Sequence, residues 1–202
     1  MTTGSFLDSL LPGLVREHTA RLAPGRSAGV AVIFRMSSDG YEEVLLIRRA
    51  EREGDPWSGQ VAFPGGMVGA QDGSFEDTAK RETLEEVGVD LSKGAAVFLG
   101  YMGEFKARTR EVAVVPPVFK LIATSSVRLN REVASFEWAS LVELARDEAR
   151  STYLHDKSGA KIAFPSLVHR GLVIWGLTER ILSVIMDDRS MDEGVLGKVE
   201  RY

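Results

Sequence analysis

The apolar positions of this chain come in short dense runs separated by polar, glycine-rich stretches, a pattern of alternating strands and helices. Phe6, Leu7, Leu10, Leu11, Leu14 and Val15 recur at helical spacing, and Pro12 bends or divides the helix they predict. Beyond Pro24-Gly25, the run Ala28 to Phe34 is dense in Val, Ile and Ala, and Val44 to Ile47 repeats that character. Ser37-Ser38-Asp39-Gly40 lies between them, so the two runs read as a hairpin. A long polar loop, Arg48 to Gly59, follows. Then come a short strand over Gln60 to Phe63 and a tight turn at Pro64-Gly65-Gly66.

Ser74 is placed to cap a helix, with Asp77 three residues on as in a capping box, and Gly88 is placed to end it. Ala79, Thr83 and Val87 form the buried stripe, flanked by Leu84. Two strands follow, Ala95 to Tyr101 and Val112 to Leu121, joined by the polar segment Met102 to Glu111. Pro116-Pro117 makes the second an edge strand or marks a bulge. Phe136 to Trp138 reads as a short strand, Ser140 as the cap of a helix over Leu141 to Arg146, and Ala160 to Phe164 as extended chain. Leu172 to Val184 holds Leu172, Ile174, Trp175, Leu177, Ile181, Leu182 and Val184, a last amphipathic helix entered near Trp175-Gly176, and the charged tail from Met186 frays.

At 202 residues the chain holds one sizeable core with terminal additions: a helical extension over 1–25, the main domain over 26–190 and a tail over 191–202. A net charge of -4 argues against a broad nucleic-acid surface. With 0 cysteines, neither a disulfide nor a thiolate nucleophile enters the picture. Met1 to Ser9 lacks the basic start and long apolar run of a signal peptide, and no stretch reaches membrane-spanning length, so a cytoplasmic enzyme is the default expectation. His18, His155 and His169 show no paired ligand spacing, and Ser58 and Ser166 have no neighbouring histidine and acid.

The chemistry concentrates in the helix after the glycine pair, which carries Arg81-Glu82-Thr83-Leu84-Glu85-Glu86-Val87-Gly88-Val89. Glu82, Glu85 and Glu86 are three and four residues apart, so a helix sets all three carboxylates on one face. Like charges so crowded call for a cation, and a hard divalent ion suits oxygen ligands best. A solvated helix face is the competing reading. The spacing resembles the signature of the Nudix hydrolases: Gly, five residues, Glu, seven residues, then Arg-Glu-apolar-x-Glu-Glu-x-Gly-apolar. Two departures stand out. Gly73 holds the place eight before Arg81, and Thr83 holds the apolar place after Glu82; counting forward from Gly66 puts Asp72 at the family's first Glu, with a loop one residue longer. Gly59-Gln60-Val61-Ala62-Phe63-Pro64-Gly65-Gly66, Asn130-Arg131-Glu132-Val133 and Ile174-Trp175-Gly176-Leu177-Thr178-Glu179-Arg180 are similar to the branch of that family that acts on coenzyme A.

The resemblance implies an α/β protein, a Nudix-type α/β/α sandwich with a mixed β-sheet, that hydrolyses a diphosphate linkage with Mg²⁺ or Mn²⁺. It implies Glu82, Glu85 and Glu86 as metal ligands with a backbone carbonyl at Gly66, supported by Arg81, Gly65 and Gly88. Glu82 is the first choice as base and Glu132 the second, with Glu85 also catalytic and Glu104 and Glu111 behind. Arg48 and Arg49 are placed to clamp a diphosphate, and Trp57 or Phe105 to stack on a base, although a surface arginine and a loop aromatic are ordinary features too. The substrate is a small nucleotide: coenzyme A or an acyl-coenzyme A, or else ADP-ribose or another linked nucleoside diphosphate. A non-catalytic nucleotide-binding module is the reading from another class. The apolar N-terminal helix makes a homodimer plausible.

Overall fold

Ser5 starts the first helix and Pro12 ends it. The Ser5 hydroxyl accepts from Asp8 N–H at the head of α1 (Phe6–Leu10), and Pro12 falls in the 3-10 turn Leu11–Gly13 that follows. The computed structural model describes residues 5–18, 21–92, 94–107, 112–123, 126–157 and 160–186. Arg108, Arg110, Glu111 and the charged tail therefore lie outside the described residues.

The apolar run after Pro24 is not one strand. It breaks at Ala31 into β1 (Ser27–Val30) and β2 (Val32–Met36), and Ala31 N–H donates to the Pro64 carbonyl at 2.7 Å. β2 forms the expected antiparallel hairpin with β3 (Glu42–Arg49), Phe34 standing opposite Val44. Next come β4 (Val61–Ala62), β5 (Gly65–Met67), α2 (Phe75–Val87), β6 (Ala96–Tyr101) and β7 (Phe105–Ala107). The second long strand is likewise two, β8 (Val112–Val115) and β9 (Pro117–Leu121). β1 runs parallel to β8 and β2 parallel to β9, so both long runs leave one sheet and enter another together, at Ala31 and Pro116. Pro116-Pro117 marks that crossing and not an edge, because β9 lies between β2 and β6. Pro64-Gly65-Gly66 is likewise not a tight turn, since Gly65 and Gly66 pair with Val30 and Gly29.

β10 (Val133–Ser140) is longer than Phe136 to Trp138, and Ser140 caps the short α3 (Leu141–Leu144). The C-terminal region corrects the sequence reading further. Arg150 to Lys157 forms β11 (Arg150–Lys157), which the apolar pattern missed, and the extended stretch continues through Pro165 as β12 (Ala160–His169). β13 (Leu172–Trp175) is a strand, and helix α4 (Leu177–Met186) starts only after Gly176, whose φ of 71° breaks the run.

The strands form sheets ordered β5-β1-β8-β7, β10-β3-β2-β9-β6 and β11-β12-β13. Alternate residues of β2 and β3 feed two cores: Val32, Phe34, Val44 and Leu46 pack with Leu7, Leu10, Leu141, Ile181 and Leu182, while Ile33, Leu45 and Ile47 pack with Ala79 and Val87 of α2. Helices thus cover both faces of mixed sheets, an α/β/α arrangement, and both faces being buried explains why these strands read as continuous apolar runs.

Candidate active site

α2 begins where Ser74 accepts from Asp77 N–H, while the Asp77 carboxylate reaches Gly73 N–H, and it ends at Gly88 with φ 69°. Ala79, Thr83 and Val87 are buried as the period requires, and Leu84 turns outward, 50% exposed. Thr83 Oγ1, at the place where an apolar residue is usual, is buried without a hydrogen-bond partner among the described residues, at a cost of about 1–3 kcal/mol.

The neighbouring face of α2, with Glu82 and Glu86, lies against β5, and glycine makes that contact possible. A Cβ on Gly65 would stand 2.4 Å from the Gly29 carbonyl oxygen, and one on Gly66 would stand 2.6 Å from the Glu82 carboxylate. Gly65 N–H donates to Glu86 Oε2 at 2.9 Å. Glu86 is 3% exposed. Burial pushes its pKa up to about 7; Gly65 N–H and the charge of Arg49 oppose the rise, and Glu82 and Glu132 add to it. Glu82 is also raised, by burial first and then by Glu85 and Asp72, against the hydrogen bond from Arg81.

Arg81 lies between two acidic groups. Its Nη1 meets Glu82 at 2.7 Å and Glu85 at 3.6 Å, while Nε and Nη2 fork onto Asp72 at 3.1 and 2.9 Å. Asp72 also accepts from Gly69 N–H at 2.7 Å and from Thr78 Oγ1 at 2.9 Å. The Arg81 hydrogen bonds hold the Asp72 carboxyl down to about 2, against the effect of burial. Glu85 sits on the open side with its side chain 57% exposed.

The segment before β10 reaches the site because it satisfies the end of α2. Arg128 N–H donates to the Val87 carbonyl and Asn130 N–H to that of Glu86, while Asn130 Oδ1 accepts from Glu132 N–H. Glu132 is thereby close enough for its charge to act on Glu86, and Arg52 pairs with it at 3.1 Å. Arg49 faces the same carboxylate, and Asp55 holds it at 2.9 Å. Burial opposes ionisation of Asp55, but the hydrogen bonds from Arg49 and Trp57 N–H outweigh it and lower its pKa. The sequence reading missed Asp55 and Thr78, and it named Asn130 only within a motif, without its role in placing Glu132. The Asp-Pro-Trp turn was the available signal for Asp55, whose side chain accepts from the N–H two residues on.

Other sequence candidates fall elsewhere. Arg48 points out to Glu51 at 3.2 Å, Trp57 is half-buried in its loop, and Glu104 is exposed, its charge acting on His18. Phe105 is 7% exposed in the core beside Leu7 and Leu10, so its ring is not available to stack on a base.

The donor set of Glu82, Glu85, Glu86 and the Gly66 carbonyl is all oxygen, the chemistry that a hard divalent cation takes. Among the described residues no three acidic, histidine or cysteine side chains converge into a ready cage. Glu82 and Glu86, in which burial outweighs the hydrogen bonds and raises the pKa, are nevertheless the ones packed on the glycine strand, and a cation there would offset that rise.

The model of the NUDIX domain matches residues 24–157. The chain belongs to the NUDIX family. Among its relatives, an uncharacterised protein of Schizosaccharomyces pombe is 37% identical over 187 residues, covering 79% of this chain and 56% of that protein. A peroxisomal coenzyme A diphosphatase of Caenorhabditis elegans is 35% identical over 137 residues, 65% of this chain and 56% of that one. A mitochondrial coenzyme A diphosphatase of Mus musculus is 28% identical over 179 residues, 86% of this chain and 83% of that one. The chain thus spans only 56% of the length of the first two. A MutT/nudix family protein from Enterococcus faecalis shares the fold with a TM-score of 0.51, at 23% identity over 90% of this chain and 71% of that one. Nudix hydrolases use divalent metal cations. Among the described residues no helix is long and apolar enough to cross a membrane.

Proposed function

We propose that this chain hydrolyses the diphosphate linkage of a nucleoside-diphosphate derivative with Mg²⁺ or Mn²⁺, and that coenzyme A or an acyl-coenzyme A is its substrate. The observation that carries this reading is Glu86, a buried carboxylate held by Gly65 N–H beside Glu82, both with raised pKa values on a glycine strand. The two relatives named coenzyme A diphosphatases support the substrate.

Glu82, Glu85, Glu86 and the Gly66 carbonyl would hold the ion. Once bound, it would offset the diphosphate charge and lower the pKa of a water molecule. Arg81, fixed on Asp72, orients Glu82. Arg49, braced by Asp55, presents its guanidinium to the diphosphate beside Glu86. Glu82 takes the proton from water, with Glu132 the second candidate for that step. Trp57 remains the aromatic placed to meet a base.

The test is the purified chain with Mg²⁺ or Mn²⁺ and coenzyme A, acyl-coenzyme A, ADP-ribose and NADH. Split coenzyme A products are expected. Cleavage of ADP-ribose alone would keep the reaction and change the substrate. No turnover with tight nucleotide binding retained would overturn the reaction in favour of a binding module.

A further inference from the structure

Within the N-terminal segment expected to carry a dimer contact, Leu7 and Leu10 are 5% and 3% exposed in the chain's own core, while Leu11 and Val15 face outward. The sheet edges offer another surface. Among the described residues, nearly every outer strand is short or irregular. β10 shifts register between Val133 and Ser135, and β6 shifts between Phe98 and Gly100 and also takes a bridge from Val15. β5 and β7 have 3 residues each, and β13 has 4. Such irregularity and brevity keep an edge from pairing with another chain.

β11 has none of these protections. Its 8 residues pair with β12 without a break, from Arg150 opposite Leu167 to Lys157 opposite Ala160, and its other edge meets no strand among the described residues. It contains no proline or glycine, and Ser151 to His155 carry no Asp, Glu, Lys or Arg. Tyr153 stacks on Trp175 at 4.5 Å, with His155 and Phe164 also against that ring, which backs the strand and holds it in place. Leu154, on the other face, is 56% exposed.

We propose that β11 pairs antiparallel with the same strand of a second copy to form a two-fold dimer. A two-fold axis through a continued sheet keeps like faces together, so only residues both odd or both even in number can stand opposite each other. The register centred on Tyr153 sets Arg150 against the partner's Asp156, and does so at both ends. Centring on Thr152 sets Arg150 against the partner's Leu154 instead, and centring on Leu154 sets Thr152 against the partner's Asp156. Charge complementarity selects the Tyr153 register. It also covers Leu154 with the partner's Thr152. In the single chain Arg150 meets Asp147 at 3.6 Å, and Asp147 is fully exposed. That contact is weak and easily exchanged.

Sedimentation velocity on the full chain over a concentration series tests this. A dimer is expected, with Arg150→Glu or Asp156→Arg weakening it about tenfold and the double variant restoring it. At concentrations where every form is monomeric, melting temperature and turnover should stay unchanged in all three variants, because neither Arg150 nor Asp156 belongs to the core or to the site around Glu86. A monomer at every concentration would overturn the dimer. A dimer indifferent to the single reversals, or not rescued by the double one, would overturn this contact and register.

Discussion

Asp72, clamped by Arg81, and Glu86, held by Gly65 N–H on β5, behave in opposite ways. Both are nearly out of solvent, with the Asp72 side chain 5% exposed and Glu86 3% exposed. Asp72 accepts from both arms of Arg81, from Gly69 N–H and from Thr78, and ionises readily, whereas among the described residues the Glu86 carboxylate accepts only from Gly65 N–H and holds its proton to about 7. Both side chains are shielded from solvent, but Glu86 lies deeper, so burial dominates there while at Asp72 the Arg81 hydrogen bonds outweigh it. The Asp72 side stabilises the folded chain, and the Glu86 side leaves negative charge uncompensated until a ligand brings a cation.

Removing the uncompensated group should have the largest effect on function. Glu86→Gln keeps the shape and is expected to lower turnover of the diphosphate substrate about 10³-fold, since several kcal/mol of transition-state stabilisation would be lost. Unchanged kcat in that variant would remove Glu86 from the ligand set. Asp72→Asn works on the other side. It should cost about 2 kcal/mol of stability in urea unfolding, and turnover should fall about tenfold or more as Arg81 loses its anchor and Glu82 its orientation. A stable Asp72→Asn protein with full activity would show that the clamp does not matter. The smallest effect is expected from Glu132→Gln, which should reduce kcat about tenfold, less than Glu82→Gln does. The reverse order would make Glu132 the base.

How much of this was legible in the sequence depends on the range of the interaction. The three glutamates, the Ser74 cap and the Gly88 stop follow from spacings within a few residues, and the structure places all of them on α2. The ring of Phe105 was misjudged because its burial comes from a core assembled from distant parts of the chain, with α4 packed on β7 and Arg180 over the ring. Ala31 and Pro116 each lie inside one apolar run, so where the strands pass between sheets is set by pairing with each other and by the Pro64 carbonyl, which no local pattern records. β11 was missed because Arg-Ser-Thr-Tyr-Leu-His-Asp-Lys has little apolar content and its strand form comes from the pairing with β12. The last helix begins just past Trp175-Gly176, where the sequence places its entry, while the strand before it is set by pairing with β12, and the positive φ at Gly176 separates the two.

Melting of the metal-free chain and its Glu86→Gln variant at pH 5 and pH 8, with and without Mg²⁺, tests the cation site most directly. The raised folded pKa of Glu86, about 7 against an ordinary 4.5, means that the folded state holds a proton that the unfolded state has released. Its contribution to stability is therefore present below about 4.5 and is lost as pH rises through about 7. The wild type should be less stable than Glu86→Gln at pH 8, by at most about 3 kcal/mol, and nearly equal to it at pH 5. Mg²⁺ should then raise the pH 8 melting temperature of the wild type and leave the variant where it was. Parallel pH curves for the two proteins, with equal stabilisation of both by Mg²⁺, would contradict the account.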